Sequence, residues 1–436
     1  MAYKETNFSL TRVQAASVFC SAIFDGTHDS PKQQESGYKL VTSRHIKNNN
    51  ILLDDAYLIS EEDFVKINKR SKILFGDVLF TMIGTVGEIC RITETPDFAI
   101  KNIGAFRTKI SSDSLWLYYY LMSPIAKQEI EQLKRGTTQQ FMGLKQLRSF
   151  PILAPSSPDY RLKQVEILRL LDEKIQANNS ISRTLEDIAQ TIFKSWFIDF
   201  DPVRAKMAGQ KPDGMDAVTA ALFPDSMEDS ELGLIPKGWE VRTVGSVGRV
   251  VTGKTPSTKI QQYWAGDIPF VTIPDMHGQL LMTKTARTLS TAGANSQQNQ
   301  YVSQGSTMIS CIATPGLVSY ATIECQTNQQ INSVIPLQEG YKAWFFWNMR
   351  AMIPVLIRSS GIGTVFANLN KSDFSNIKMI YPTEDAIHHF SQITETILEQ
   401  MKSLDMESMT LSEIRDALLP RLISGELQIP EEMLTS

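Results

Sequence analysis

The chain is written twice. A segment from Phe24 to Trp196 recurs as Thr252 to Leu422, shifted by 226 to 229 residues. Asp25-Gly26-Thr27 matches Thr252-Gly253-Lys254. Gly76-Asp77-Val78-Leu79, followed by Thr85-Val86-Gly87, matches Gly305-Ser306-Thr307-Met308, followed by Thr314-Pro315-Gly316. Tyr118-Tyr119-Tyr120 falls on Phe345-Phe346-Trp347, and Gly136-Thr137 falls on Gly363-Thr364. Each copy closes an apolar run at Pro155 or Pro382, and a long segment of heptad spacing follows. A helix with an apolar stripe needs a partner to cover it. Two copies, each with one such helix, supply each other. The expected object is pseudo-twofold and grips something that has two ends.

At 436 residues the chain exceeds one ordinary core. The pattern divides it into a lobe at 1–155, a helix at 156–200, a connector at 201–235, a second lobe at 236–382, and a second helix with its tail at 383–436. The fold class expected is α+β: two tandem α/β lobes separated by two long helices that form an antiparallel coiled coil. The overall charge of −4 hides an alternation. Residues 1–155 carry 19 Lys and Arg against 16 Asp and Glu, and 233–382 carry 12 against 6. Residues 156–232 carry 9 against 14, and 383–436 carry 3 against 11. Basic lobes on an acidic frame suit a protein that meets phosphates through its lobes alone. Four scattered cysteines (Cys20, Cys90, Cys311, Cys325) read as buried thiols in a reducing compartment. The amino end, MAYKETNF, is not a signal peptide, and no apolar run spans a membrane, so the cytoplasm is the expected location.

In the first lobe Lys72–Thr81 and Gly87–Ile92 read as strands, and 115–135 has helical apolar spacing. The first long helix has a seam stepping by 3 and 4 residues: Leu168, Leu171, Ile175, Asn178, Ser182, Leu185, Ala189, Ile192 and Trp196. At about 1.5 Å per residue, 159–197 makes a rod of roughly 58 Å. The second seam runs Phe390, Ile393, Ile397, Gln400, Leu404, Glu407, Leu411, Ile414 and Leu418. Its polar members, like Asn178 and Ser182, either select register or mark imperfect packing. The connector, rich in Pro, Gly and acid, reads as irregular.

One motif misleads. Gly248-Arg249-Val250-Val251-Thr252-Gly253-Lys254-Thr255 fits the phosphate-loop expression. Such a loop needs a helix beginning at its lysine. Pro256 follows at once, and the first copy has no lysine at this place, so nucleotide binding is not expected. The five histidines show no metal-ligand spacing, and His388-His389 read as a solvated pair. No Asn/Asp-Pro-Pro-aromatic tetrapeptide and no Gly-x-Gly loop after a strand is present, and no enzyme activity is expected. What recurs is polar loop chemistry. Thr27, His28 and Lys32 in the first copy face Lys254, Thr255, Ser257 and Lys259 in the second. Arg135, Thr137, Thr138 and Gln139 face Arg358, Ser360 and Thr364. Arg44, Lys47, Lys145, His277 and Lys371 lie in or near such loops and complete the candidates. Hydroxyl, amide and cationic groups are those that contact phosphates and base edges. The aromatic trios read as core.

Several strings carry a family resemblance: FKSWFIDFDPVRAK (Phe193–Lys206), ALFPDSMEDSELGLIPKGW (Ala221–Trp239), TPSTKIQQYWAGDIPFVT (Thr255–Thr272), ISCIATPGLVSYATI (Ile309–Ile323), NQQIN (Asn328–Asn332) and LLPRLISGEL (Leu418–Leu427). With them the chain resembles, over nearly its whole length, the specificity subunit of type I restriction–modification systems. The first lobe lacks the Pro-Lys-Gly-Trp opening that the second has at Pro236–Trp239. The resemblance implies two target-recognition domains, each reading one half of a split, asymmetric double-stranded DNA sequence, with the helices setting the gap. It implies two adenine-N6 methyltransferase subunits as partners, and restriction and motor subunits besides. S-adenosylmethionine, ATP and Mg would belong to those partners, with no cofactor and no metal on this chain. A coiled-coil assembly protein whose lobes bind other proteins, and not DNA, is the competing reading.

Overall fold

The computed structural model describes residues 11–47, 49–136, 140–312, 314–360 and 368–429. The chain divides into two compact units. One comprises Met1–Ile175 with Thr410–Ser436, and the other comprises Gln176–Met409.

In the first unit, Thr11–Ala15 pairs antiparallel with Pro151–Pro155, tying the start of the lobe to its end. A four-stranded sheet has the order Cys20–Asp25, Ile103–Thr108, Val78–Thr81, Ile89–Arg91, with every pairing antiparallel. Val78, Leu79 and Phe80 are all buried, because both faces of the sheet are covered. Alternate side chains of a strand point to opposite faces. Val78 and Phe80 accordingly meet Trp116 and Tyr120 of helix Ser111–Met122, while Leu79 meets Val41 and Ile100 of a second sheet. That sheet centres on Tyr38–Thr42, antiparallel to Leu58–Ile59 and parallel to Phe98–Lys101.

The second unit repeats this plan. Glu240–Thr243 pairs with Lys378–Tyr381. Gly248–Thr252, Ile331–Pro336, Thr307–Ser310 and Val318–Ala321 form the equivalent sheet, extended by Leu281–Met282. Trp264–Val271 centres the other, antiparallel to Arg287–Leu289 and parallel to Gln326–Thr327. Matched hydroxyls hold matched turns. Thr81 Oγ1 donates to the Thr85 carbonyl (2.5 Å) and accepts from the Glu88 amide (2.9 Å). Ser310 Oγ does the same with Thr314 (2.5 Å) and Leu317 (2.8 Å). Gly76 and Gly305 both sit at φ +86°, where a Cβ is strained. The aromatic trios are core: Tyr119, Tyr120, Phe345, Phe346 and Trp347 are at most 1 % exposed, and Tyr118 is partly buried.

The long helices are Pro158–Phe197 and Glu384–Ser424. Within each unit their segments run antiparallel. In the first unit Gln164 reaches the Leu422 carbonyl (3.2 Å) and Asp172 accepts from Arg415 (2.7 Å). In the second, Asn178 donates to Glu407 (2.8 Å) and Phe193 packs on Phe390. The predicted seam residues Leu171, Ile175, Leu185 and Ile192 are half-buried, as are Ile393, Ile397, Leu404, Leu411 and Leu418. Phe390 is buried as expected, but beyond it the buried face of the second helix is displaced by one position. Thr394, Leu398, Met401, Leu419 and Leu422 are buried, whereas Gln400, Glu407 and Ile414 are exposed. The centre of that face is partly lined by small residues, Ser391 and Thr394, which leaves the larger aliphatics at its margin.

Other expectations also shift. Residues 115–135 form two helices, Ser111–Met122 and Pro124–Leu133, because Pro124 cannot donate to the preceding turn and Ser123 caps the new one. The strands are shorter than expected, Val78–Thr81 and Ile89–Arg91. The connector is structured. It contains helices Asp201–Met207 and Ala217–Ala221 and a hairpin of Met227–Ser230 with Gly233–Pro236. Phe200, Val203, Phe223 and Ile235 join the core of the second unit beside Trp196, Phe197, Trp239 and Phe390. Nor are the paired histidines solvated: His389 stacks on Trp196 and lies 2.9 Å from the Thr219 hydroxyl, and His388 lies against Tyr341.

Two predictions arise from the second helix pair. Asn178 is 1 % exposed and donates to Glu407 and Ser408. Asn178→Ala should lower stability by about 1–2 kcal/mol, measured by urea unfolding. Burial raises the Asp405 carboxyl above its ordinary range. The fold therefore favours the protonated form, and this contribution is present below the ordinary Asp value and is lost as pH rises through the raised one. Asp405→Asn should match the parent at low pH and exceed its melting temperature increasingly across that window. An offset independent of pH would exclude the assignment.

Candidate nucleic-acid interface

Strand register gathers loops at one end of each large sheet. In the first unit Asp25 lies opposite Gly104, and Ile103 lies opposite Thr81. Thr42 lies beside Lys101 in the neighbouring sheet. The loop after Asp25, the turn after Thr42, the crossover at Lys101–Asn102 and the turn after Thr81 thus emerge together. Gly26 lies so close to the crossing chain that an added Cβ would stand 2.3 Å from the Ile100 carbonyl oxygen. Thr27 still pairs, its amide donating to Ile100 (3.0 Å). Beyond it the chain is exposed.

There the side chains form a network. Asp25 is 6 % exposed and accepts from Arg70 (2.7 Å), which comes from the last turn of helix Glu61–Ser71. His28 Nε2 lies 3.1 Å from the other Asp25 oxygen, and its Nδ1 lies 2.7 Å from Asn102 Oδ1. Asn102 has φ +54°, a left-handed conformation that Asn tolerates better than most residues. Its amide donates to Thr27, and its carbonyl accepts from Ser43 (3.3 Å). Lys101 donates to Ser30 (2.5 Å). Lys32, Arg44 and Lys47 are exposed. Between the 27–34 loop and helix Glu61–Ser71 lies a cavity of about 530 Å³, lined among others by Lys32, Lys66 and Arg70.

A second loop hangs from the same sheet end. Arg135 and Phe141 exchange backbone hydrogen bonds (3.0 and 2.9 Å), and Phe141 bridges to Ile83, just past strand Val78–Thr81. Arg135 and Lys145 are exposed, and Phe141 is 44 % exposed. Thr137, Thr138 and Gln139 lie outside the described residues.

The second unit has the same geometry with different side chains. Thr252 lies opposite Asn332, and Ser310 lies opposite Ile331. The Lys254 amide donates to Thr327 (2.9 Å), as Thr27 does to Ile100, and a Cβ on Gly253 would stand 2.1 Å from the Asn328 oxygen. Thr255 Oγ1 donates to Gln329 Oε1 (2.6 Å). Beneath the loop, Gln297 donates to the Lys254 carbonyl and to Gln326 (both 2.7 Å). Lys254, Ser257 and Lys259 are exposed. The Arg287 guanidinium lies 3.7 Å over the Trp264 ring, a cation–π contact.

The turns after Thr42 and Thr272 carry equivalent capping boxes, closed by His45 in one copy and Asp275 in the other. Burial, and then Arg44 beside it, lowers the His45 imidazole below its usual pKa, which keeps it neutral so that Nδ1 accepts from the Thr42 amide (2.9 Å). Lys47 and His277 follow these turns at the same offset, and both are exposed. Arg358 and Lys371 are exposed on short helices. Ser360 needs correction. It is 3 % exposed and its hydroxyl donates to the Ile357 carbonyl, so it offers nothing to a ligand. Thr364 lies outside the described residues.

Gly248–Thr252 is a strand, and no helix starts at Lys254, so the phosphate-loop expression has no phosphate-loop geometry. The four cysteines are buried thiols, raised by burial to about 12 at Cys20, Cys90 and Cys325 and about 11 at Cys311. Among the described residues no cluster of three His, Cys, Asp or Glu could hold a metal, and no helix is long and apolar enough to cross a membrane. Sequence reasoning missed Arg70, Asn102, Gln329 and Arg287. Asn102 and Gln329 each stand just ahead of a core strand, one and two residues before Ile103 and Ile331, and that placement was the available signal.

A duplicated α+β lobe, a duplicated long helix and matched polar loops define a class of tandem-repeat α+β proteins. Residues 25–190 and 236–417 match the type I restriction–modification DNA specificity domain, and the chain belongs to that family. It is 36 % identical over 347 residues to the HindI specificity subunit of Haemophilus influenzae, covering 68 % of this chain and 76 % of that one. It is 24 % identical over 364 residues to the MjaIX specificity subunit of Methanocaldococcus jannaschii, covering 82 % and 78 %. The crystal structure of the S subunit from M. genitalium has the same fold, with a TM-score of 0.57 at 15 % identity and coverage of 96 % and 97 %.

Proposed function

We propose that this specificity subunit binds a bipartite, asymmetric double-stranded DNA target, one half-site per lobe, and contributes address and not chemistry. One observation carries the reading: both units present a basic, amide-rich loop cluster from the same end of the same sheet, with different side chains. Equivalent frames favour equivalent docking, and unlike loops favour unlike half-sites. The target-recognition domains are 1–155 and 236–382. The chemistry belongs to partners. Two modification subunits would transfer methyl groups from S-adenosylmethionine to adenine N6, and restriction subunits would use ATP and Mg. The acidic helices and outer lobe faces are the docking surface for them, and the complex works in the cytoplasm.

The test is a methylome. The chain is co-expressed with its cognate modification subunit in a methylation-free host, and N6-methyladenine is mapped by single-molecule sequencing. A split motif with unlike halves and one modified adenine in each is expected. A contiguous or symmetric motif would overturn the reading. If an assembled complex left DNA unmodified and showed no salt-dependent DNA shift, the assembly-protein reading would replace it.

A further inference from the structure

The loop network holds one carboxamide in each unit, and the two stand on corresponding crossovers, Gln329 one residue further from its strand than Asn102. His28 is the first residue past Thr27, whose amide pairs with Ile100, and Thr255 is the first past Lys254, whose amide pairs with Thr327. His28 Nδ1 lies 2.7 Å from Asn102 Oδ1, and Thr255 Oγ1 donates to Gln329 Oε1 at 2.6 Å. Asn102 and Gln329 both stand on the crossover between the parallel strand of the small sheet and the second strand of the large one. Different residue types thus build one arrangement twice: a carboxamide at the loop tip, held through its amide by the neighbouring loop.

The structure assigns Asn102 and Gln329 as the base-reading residues of the two lobes, each recognising an adenine in the major groove, with His28 and Thr255 as their positioning residues. This assignment rests on the split-target reading above. A carboxamide can meet adenine with two hydrogen bonds, its NH₂ donating to N7 and its oxygen accepting from the N6 amine. Gln329 meets the requirement, because its oxygen has a second lone pair after accepting from Thr255 and its NH₂ keeps both hydrogens. Asn102 meets it too: whichever of its amide atoms faces Nδ1, its oxygen keeps a lone pair and its NH₂ keeps a hydrogen for the base. The Asp25 carboxylate holds the Nε2 side of His28, so the ring aims Nδ1 at the amide. Exposure is appropriate, since Gln329 and His28 are exposed and Asn102 and Thr255 are partly so. A loop side chain that is fixed before binding loses less conformational freedom on contact. Arg70 holds Asp25 from the other side, which keeps the first network in place without touching the base.

The test uses the intact complex and the methylome. Asn102→Ala should relax one A·T position in one half of the motif by roughly ten- to hundredfold and leave the other half unchanged. Gln329→Ala should do the same to the opposite half. The retained half shows that the variant is folded. Thr255→Val, which removes only the hydroxyl, should relax the same position as Gln329→Ala but more weakly. If the parent motif is split and neither alanine variant changes any position, the assignment is wrong while the split-target reading stands. If the parent motif is not split, that reading has failed first. Should a variant methylate nothing, competition binding decides. Lost discrimination at one A·T pair upholds the assignment, and retained discrimination overturns it.

Discussion

Replacing Phe390 with alanine is expected to destabilise the second unit by about 3–5 kcal/mol. The ring is fully buried and touches Phe193, Trp196 and Phe197, with centroids 5.5, 5.9 and 5.2 Å away. Those three rings come from the first long helix, and Phe390 comes from the second. Phe223 of the connector and Trp239 just beyond it are already engaged with Trp196 and Phe197, with centroids 5.3 and 5.8 Å away. Truncation therefore leaves a void where two helices and the connector meet. Urea unfolding followed by tryptophan fluorescence would report it, since Trp196 and Trp239 lie in this cluster. A change below about 1 kcal/mol would mean that the cluster repacks freely.

The second large effect concerns DNA. Lys254 and Lys259 are exposed on the loop that runs from strand Gly248–Thr252 to Trp264. If both contact phosphates, Lys254→Ala with Lys259→Ala should lower affinity for target and unrelated duplexes alike, and the slope of log affinity against log salt should become shallower by about 2. Reversing both charges with glutamate should weaken binding further, because each carboxylate then opposes a phosphate. Titration at several salt concentrations separates this from lost base reading, which would affect the target alone. An unchanged slope would remove these lysines from the interface.

How far the sequence could be read follows from which signals are local. The duplication, the matched glycines and the aromatic trios were legible because each leaves a mark at fixed spacing. The first seam was legible for the same reason: Leu168 and Ala189 are buried where their spacing placed them. The second seam held at Phe390 and slipped by one position beyond it, since spacing favours large aliphatics and the actual face is centred partly on Ser391 and Thr394. The connector was misread because Phe200, Val203, Phe223 and Ile235 are scattered through polar sequence and find one another only in three dimensions. The candidate interface was partly legible. Thr27, His28, Lys254 and Thr255 stand in matched, repeated loops. Asn102 and Arg70 lie 74 and 45 residues from their partners His28 and Asp25, and only strand register and helix packing bring them there. Ser360 failed for the opposite reason, because a hydroxyl in a polar loop reads as exposed until its backbone acceptor is seen.

The hydroxyls of Thr81 and Ser310 have an evolutionary consequence. Each fastens its turn through backbone partners alone, a carbonyl on one side and an amide on the other. The fastening does not depend on which side chains the neighbouring loops display. A lineage carrying this chain can therefore revise one loop cluster by drift or recombination without loosening the frame beneath it, and can leave the other cluster as it was. On the split-target reading proposed above, new addresses then arise half at a time.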